Sequence, residues 1–440
     1  MTTNAQSSFT GRSPSIIGPT GLPLPDNYFA MPHVTPEQFK YPVPRRGEDV
    51  TRIWKLLQSD SPSGYSSSTS RIARFTLPNN GCYDFRRGFL LLDVTIRVSN
   101  PGTYQRLCQG AWNIFERVRW LNGTQVVEEF DDYNRILSMN WITNQYPTVV
   151  DQLGNDLLGW GTQLSRNAKG LVTTRYAIPI ALGFANSGVL PLHCMQNQYV
   201  EFYLANGCEV VETDGTGTID VAISGMEWHC EYLVGGTLAK DLESLVLQGQ
   251  RTDGGFIIQF DSWRKEESTQ LSISNDIKIS TRCDIFKAIV GYMFNGDQKT
   301  NPLFNDKFYT WPKNAAATYQ FKINNTLYPE QAVDCYDEAL RAYFMYLNWT
   351  GAWKLDSFAD DAPNISLQDF NDGSFLIVGD FVSNPQTTLL NNVSTSNMNP
   401  DVILKLQLQT PPPTGTKFAS LINFSTIVKI NFKDNFFIRS

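Results

Sequence analysis

Residues 113–136, NIFERVRWLNGTQVVEEFDDYNRI, decide how this 440-residue chain is read. Residues 115–121 form a strand pattern and meet Asn122-Gly123-Thr124; a short second strand leads through Asp131-Asp132 into a helical pattern. Asn-Gly tolerates the positive φ that a tight primed hairpin turn demands. The order returns 202 residues later, where a strand over 319–323 meets Asn324-Asn325-Thr326, a short segment to Tyr328 and a second helical pattern. The first helix is predicted over 130–142, with Phe130, Tyr133, Ile136, Leu137 and Trp141 as its apolar stripe. The second is predicted over 334–347, with Tyr336, Leu340, Phe344 and Leu347 as the stripe and Asp334, Asp337 and Glu338 early. Acidic residues in a first turn complement the helix dipole. The pairs Tyr133/Tyr336, Leu137/Leu340 and Trp141/Phe344 share an offset of 203. Strand, turn, strand and helix at nearly constant spacing argue for one β-domain written twice.

Outside these helices the dominant period is two. Leu90, Leu92, Val94, Ile96 and Val98 alternate with Asp93, Thr95, Arg97 and Ser99, as in a strand with one wet face. Val200, Phe202 and Leu204 repeat the pattern, and so do Val402, Leu404, Leu406 and Leu408. Near the C-terminus Ile422, Phe424, Val428, Ile430 and Phe432 alternate with Asn423, Ser425, Lys429 and Asn431. Over 218–232 the apolar set Ile219, Val221, Ile223 changes face to Met226, Trp228, Cys230, Tyr232, and Gly225 marks a bulge or kink.

Seven prolines between Pro19 and Pro44 exclude a helix or central strand there, so residues 1–50 read as an extended N-terminal arm. Residues 57–70 are a second loose, Ser-rich stretch. The expected division is arm 1–50, first domain 51–245 and second domain 246–440. Each copy holds about eight strands. Long connections at 295–317 and 356–373 favour a jelly roll over an up-and-down barrel, and Pro411-Pro412-Pro413 is a stiff loop piece. The fold class is all-β: two tandem eight-stranded jelly rolls with short helices in the loops.

Charged residues make up 18% of the chain, hydrophobic residues 42% and aromatics 12%. Charge is below the roughly 25% of ordinary soluble domains, and a disordered chain would be charge-rich and aromatic-poor. The net charge of −7 excludes a nucleic-acid binder that works by bulk charge. Seven widely spaced cysteines without C-x-x-C read as buried free thiols. Six N-x-S/T sequons, at Asn122, Asn324, Asn348, Asn364, Asn392 and Asn423, read as chance in an Asn-rich chain. No stretch has the pattern of a targeting segment or a spanning helix.

The chemistry-bearing residues are sparse. Only three histidines occur, with no H-E-x-x-H, Walker A or nucleophile-elbow motif. The dipeptides His193-Cys194 and His229-Cys230 hold metal-ligand types, but neighbours on a strand point to opposite faces. Glu128-Glu129, Asp131-Asp132, Glu266-Glu267 and Asp360-Asp361 read as solvated groups, and Arg45-Arg46 and Arg86-Arg87 as solvated pairs. No catalytic, cofactor-binding or metal-binding residue is assigned, and no cofactor is expected.

The segment 113–136 resembles the first jelly roll of double jelly-roll major capsid proteins of tailless icosahedral viruses, in the style of virophages and polinton-like viruses. The segment 321–347, FKINNTLYPEQAVDCYDEALRAYFMYL, looks like the matching part of the second jelly roll. The resemblance covers about residues 70–435. It implies a non-enzymatic protein of the virion, assembled inside the host cell as a homotrimer of six barrels with a pseudo-hexagonal outline. The partners it implies are neighbouring trimers, minor capsid proteins of the penton or cement kind, and an internal membrane under the shell. No sequence-specific nucleic acid is among them. The competing readings are a tandem jelly-roll carbohydrate-binding protein or hydrolase, and a capsid or spike protein with its barrels arranged otherwise.

Overall fold

The structure is a computed structural model. It describes residues 50–61, 64–100, 105–108, 110–144, 171–195, 197–235, 256–268, 270–280, 285–295, 316–323, 325–336, 339–350, 365–381 and 402–430, with short pieces at 102, 240, 244, 393–394 and 437–439. Residues 1–49 of the expected arm 1–50, residues 296–315 of the expected connection 295–317 and the boundary at 245/246 lie outside the described residues.

Among the described residues eight main strands build a first sandwich: β1 (Val50–Gln58), β2 (Ile72–Thr76), β3 (Cys82–Asn100), β4 (Phe115–Asn122), β5 (Gln125–Asp131), β6 (Leu171–Pro179), β7 (Gln198–Leu204) and β8 (Thr216–Gly235). Eight more build a second: β9 (Phe256–Glu267), β10 (Ser274–Ile279), β11 (Ile285–Asn295), β12 (Ala316–Ile323), β13 (Thr326–Asp334), β14 (Ile377–Asp380), β15 (Val402–Leu408) and β16 (Thr416–Ile430). The first sandwich has sheets ordered β1-β8-β3-β6 and β2-β7-β4-β5. The second has β9-β16-β11-β14 and β10-β15-β12-β13, so every strand has its counterpart eight labels on. All these pairings are antiparallel, and the winding is that of a jelly roll.

The apolar faces meet as the period of two requires. Leu90, Leu92, Val94, Ile96 and Val98 are buried, as are Val200, Phe202, Leu204 and the Leu residues of β15. Aromatic rings bridge the two sheets of the first sandwich: Phe75 lies 5.8 Å from Trp228, and Phe85 lies 5.7 Å from Trp120. Edge-to-face packing of such rings adds about 0.5–1.5 kcal/mol per pair beyond burial. In the second, the Tyr319 hydroxyl donates to the Val378 carbonyl at 3.3 Å, tying β12 to β14. Gly225 adopts φ +56°, and the β8–β3 register shifts between Ser224 and Glu227. The extra residue re-aims Met226, Trp228 and Cys230 into the core, which is the expected bulge. Both hairpins are present: Asn122 pairs with Gln125 and Ile323 with Thr326.

The helices begin later than expected. Helix α1 spans Tyr133–Asn144, a short α2 spans Gly183–Asn186, α3 spans Leu340–Thr350 and α4 spans Leu367–Asp372. Phe130 pairs with Val118 and Asp334 with Thr318, so the ladder holds both residues in strands. Asp132, at φ +54°, turns the chain from β5 into α1. The stripe expected on the second helix is also corrected. Ala342, Tyr346 and Leu347 face the core, whereas Tyr336, Leu340 and Phe344 are exposed. The offset of 203 holds from Asp131 to Asp334, where β5 and β13 end, but not into the helices.

Two smaller expectations change. Within the loose stretch at 57–70, β1 runs to Gln58, and Tyr65-Ser66 pairs with β8. On β16 the expected wet face is partly dry: Ser425 is buried and Asn423 half-buried, and the neighbouring Ala419 and Leu421 are buried. Ala419 pairs with Tyr292 of β11, two residues from Phe294, whose ring lies under Arg135 of the first sandwich.

Candidate assembly interface

The two sandwiches meet along one edge of each. Strand β5 ends the sheet β2-β7-β4-β5, and β9 ends the sheet β9-β16-β11-β14. Along this seam Phe184 of α2 packs edge-on against Phe260 of β9, with centroids 5.4 Å apart. Gly183 admits the close approach, because a Cβ there would stand 1.9 Å from the Asp261 carbonyl oxygen.

Buried charges line the same seam. The Glu128 carboxylate of β5 accepts from the backbone N–H groups of Gly183 at 2.9 Å and Phe184 at 2.8 Å. It also accepts from the Ser262 hydroxyl of β9 at 3.0 Å. Burial pushes the Glu128 pKa up to about 7, outweighing the three donors, which favour the anion. Lys265 of β9 donates to Asp132 at 2.6 Å and to Glu267 at 2.5 Å. Its ammonium also lies 5.5 Å from the Phe294 ring centre. Arg135 of α1 is fully buried, 3.9 Å from Asp132 and 5.3 Å from the same ring centre. A charge removed from water survives only when paired, so each sandwich completes the other's charges.

Each sandwich leaves its other edge uncovered. Strand β13, the counterpart of β5, is exposed over most of its length, whereas β5 is buried or half-buried beyond Gln125. Strand β1, the counterpart of β9, is exposed at Ile53, Trp54 and Leu56.

The residues singled out in the sequence are dispersed. His193 Nδ1 lies 3.1 Å from the Gly81 carbonyl oxygen, while His229 stacks on Phe89 at 4.8 Å and lies 3.5 Å from Glu227. Cys230 points into the core behind His229, and burial pushes its thiol and that of Cys82 up to about 12. Among the described residues no three His, Cys, Asp or Glu side chains stand together as a metal site. Cys82, Cys108, Cys194, Cys230 and Cys335 are buried thiols outside any disulfide, and Cys208 is half-buried.

The carboxylate pairs are not merely solvated. Besides Glu128 and Asp132, Glu129 pairs with Arg119 at 2.6 Å, Asp131 pairs with Arg117, and Glu266 accepts from the Ser280 N–H at 2.8 Å. Arg86 is clasped by buried Asp84, and Arg87 is largely exposed. Arg45-Arg46 and Asp360-Asp361 lie outside the described residues. Sequence reasoning did not single out Gly183, Phe184, Phe260, Ser262 or Lys265. The one trace was Lys265, a cation in a strand beside Glu266-Glu267.

No family model and no curated protein matches the sequence. Solved structures do. The Faustovirus major capsid protein superposes with a TM-score of 0.57 at 8% identity, covering 87% of this chain and 91% of that one. The PBCV-1 virus capsid gives a TM-score of 0.55 at 12% identity, covering 90% and 98%. The Sputnik virophage, solved by cryo-EM, gives 0.54 at 10% identity, covering 89% and 88%. Two sandwiches with one strand order, aligned over nearly the whole chain, make this the fold of viral double jelly-roll major capsid proteins.

Proposed function

We propose that the chain is a major capsid protein that assembles as a homotrimer, with six sandwiches imitating a hexagon, and tiles an icosahedral virus shell. Its work is assembly rather than catalysis, and its place is the virion. The observation that carries this reading is the repetition of one strand order in a single polypeptide, joined edge to edge. A threefold ring of such chains presents six similar blocks at its rim, which a hexagonal lattice needs. The likeness to capsid proteins over nearly the whole chain supports it. The proposed division is an arm to residue 50, a first jelly roll over 51–245 and a second over 246–440. The arm would run beneath the shell toward neighbouring trimers, minor capsid proteins or an internal membrane. Size-exclusion chromatography with light scattering tests the reading. The expected particle has three times the 49.6-kDa chain mass. A monomer that binds a sugar would overturn it in favour of a carbohydrate-binding role.

A further inference from the structure

A cleft of about 380 Å³ opens beside the seam, between α1 and α2 of the first sandwich and β9 of the second. We infer that it is a carbohydrate-binding site, which takes one ring of an uncharged sugar between Trp263 of β9 and Leu137 of α1. The capsid reading makes no use of this cleft, and the site goes beyond that reading.

The sequence lays out one wall. Gln259, Asp261 and Trp263 follow one another at every second position of β9, so the strand sets an amide, a carboxylate and an indole in a row on one face. Opposite them, Leu137 and Asn140 of α1 stand three residues apart and share a helix face. Both walls therefore mix apolar area with polar side chains, the combination that holds and orients a small ligand. Charge narrows the class. Among the described residues that line the cleft, the charged side chains are Lys287 of β11 and Asp261, and they pair at 2.5 Å. An anionic or cationic ligand would find no uncompensated charge to meet its own. Hydrogen-bonding capacity remains. The Ser425 hydroxyl and the Lys287 ammonium both donate to Oδ1 of Asp261, and no described residue donates to its Oδ2. A sugar hydroxyl can donate to that oxygen, and a second can bond the Gln259 amide in either sense. The C–H face of the ring supplies the apolar surface that Trp263 and Leu137 match. Trp263 packs edge-to-face with Trp349 of α3, centroids 6.4 Å apart, so the indole is fixed before a ligand arrives and less ordering is lost on binding. A peptide fits less well. α2 lies against the β9 backbone, where a Cβ on Gly183 would stand 1.9 Å from the Asp261 carbonyl oxygen, so no strand can add at that point.

Saturation-transfer NMR on the full chain tests the site. The probes are the methyl glycosides of glucose, galactose, mannose and N-acetylglucosamine, with sialic acid as the charged control. Transfer into the ring C–H protons of at least one neutral glycoside, with millimolar affinity and weaker binding of sialic acid, is the expected result. Trp263→Ala and Gln259→Ala should each weaken that binding, by about tenfold for the first and about threefold for the second. Circular dichroism should match wild type in both. Should Trp263→Ala fail to fold, Gln259→Ala decides alone, because the Gln259 side chain makes no hydrogen bond among the described residues. The assignment is overturned by an absence of transfer to all these glycosides, by binding that Gln259→Ala leaves unchanged, or by sialic acid binding as tightly as the neutral sugars. The oligomeric mass, measured on the same samples, keeps the two readings apart. A trimer that binds no sugar loses the site alone, whereas a monomer whose sugar binding depends on Trp263 and Gln259 keeps the site and loses the capsid reading.

Discussion

Replacing Gly183 by alanine would test whether the seam holds the molecule together. The new methyl would stand 1.9 Å from the Asp261 carbonyl oxygen and 2.9 Å from Cδ2 of Phe260. Carbon–oxygen contacts settle near about 3.3 Å, so α2 and β9 must part by about 1.4 Å. The movement strains the Gly183 and Phe184 N–H donations to Glu128, now 2.9 and 2.8 Å, and loosens the Phe184–Phe260 packing. Overpacking alone costs about 1–3 kcal/mol. Losing one hydrogen bond to a charged acceptor adds about 1.5–3 kcal/mol. The sum is about 2.5–6 kcal/mol, which for a domain of this size lowers the melting temperature by roughly 5–24 °C. Differential scanning calorimetry reads the effect. The seam couples the sandwiches, so the wild type should melt in one endotherm and Gly183→Ala in two, the first at lower temperature. A single endotherm within about 2 °C of wild type would refute the reasoning.

Three further outcomes are expected. In the unfolded chain Glu128 titrates near 4.5, and in the fold near 7, so the folded state holds the extra proton between these values. Its contribution to stability is therefore fully present below about pH 4.5 and lost as pH rises to about 7; denaturation of Glu128→Gln across this window should show a flatter slope, and an unchanged slope contradicts the assignment. Lys265→Ala removes the buried ammonium that pairs with half-buried Asp132 and Glu267 and should cost about 3–5 kcal/mol by urea denaturation, against less for Lys265→Met, which keeps the stem. Gly225→Val forces a branched side chain into φ +56°, 3.1 Å from an Asp93 oxygen, and should destabilise by about 2 kcal/mol, whereas Gly225→Asn loses less.

The sandwiches were legible because one face of most strands is wet. Leu90 to Val98 and Val402 to Leu408 alternate for that reason, and Gly225 betrays the place where the faces exchange. β16 was misread because the second sandwich is covered on both sides at the seam, and alternation marks only a sheet with one solvent face. Helix starts were misplaced because Asp131 and Asp334 look like first-turn acids yet remain paired in the ladder. On α3 the periodicity grouped Leu340, Phe344 and Leu347, but it does not say which of them the chain's own core covers: Leu347 is buried, and Leu340 and Phe344 are exposed. Glu128 read as solvated, and Lys265 was not singled out, because their partners lie far off in sequence, Ser262 for one and Asp132 for the other.

Electron microscopy of the purified full-length protein tests the central claim most directly. Six lobes in a ring with threefold symmetry, alternating between two slightly different lobe shapes, are the predicted image. Isolated two-lobed particles at every concentration tried would contradict it.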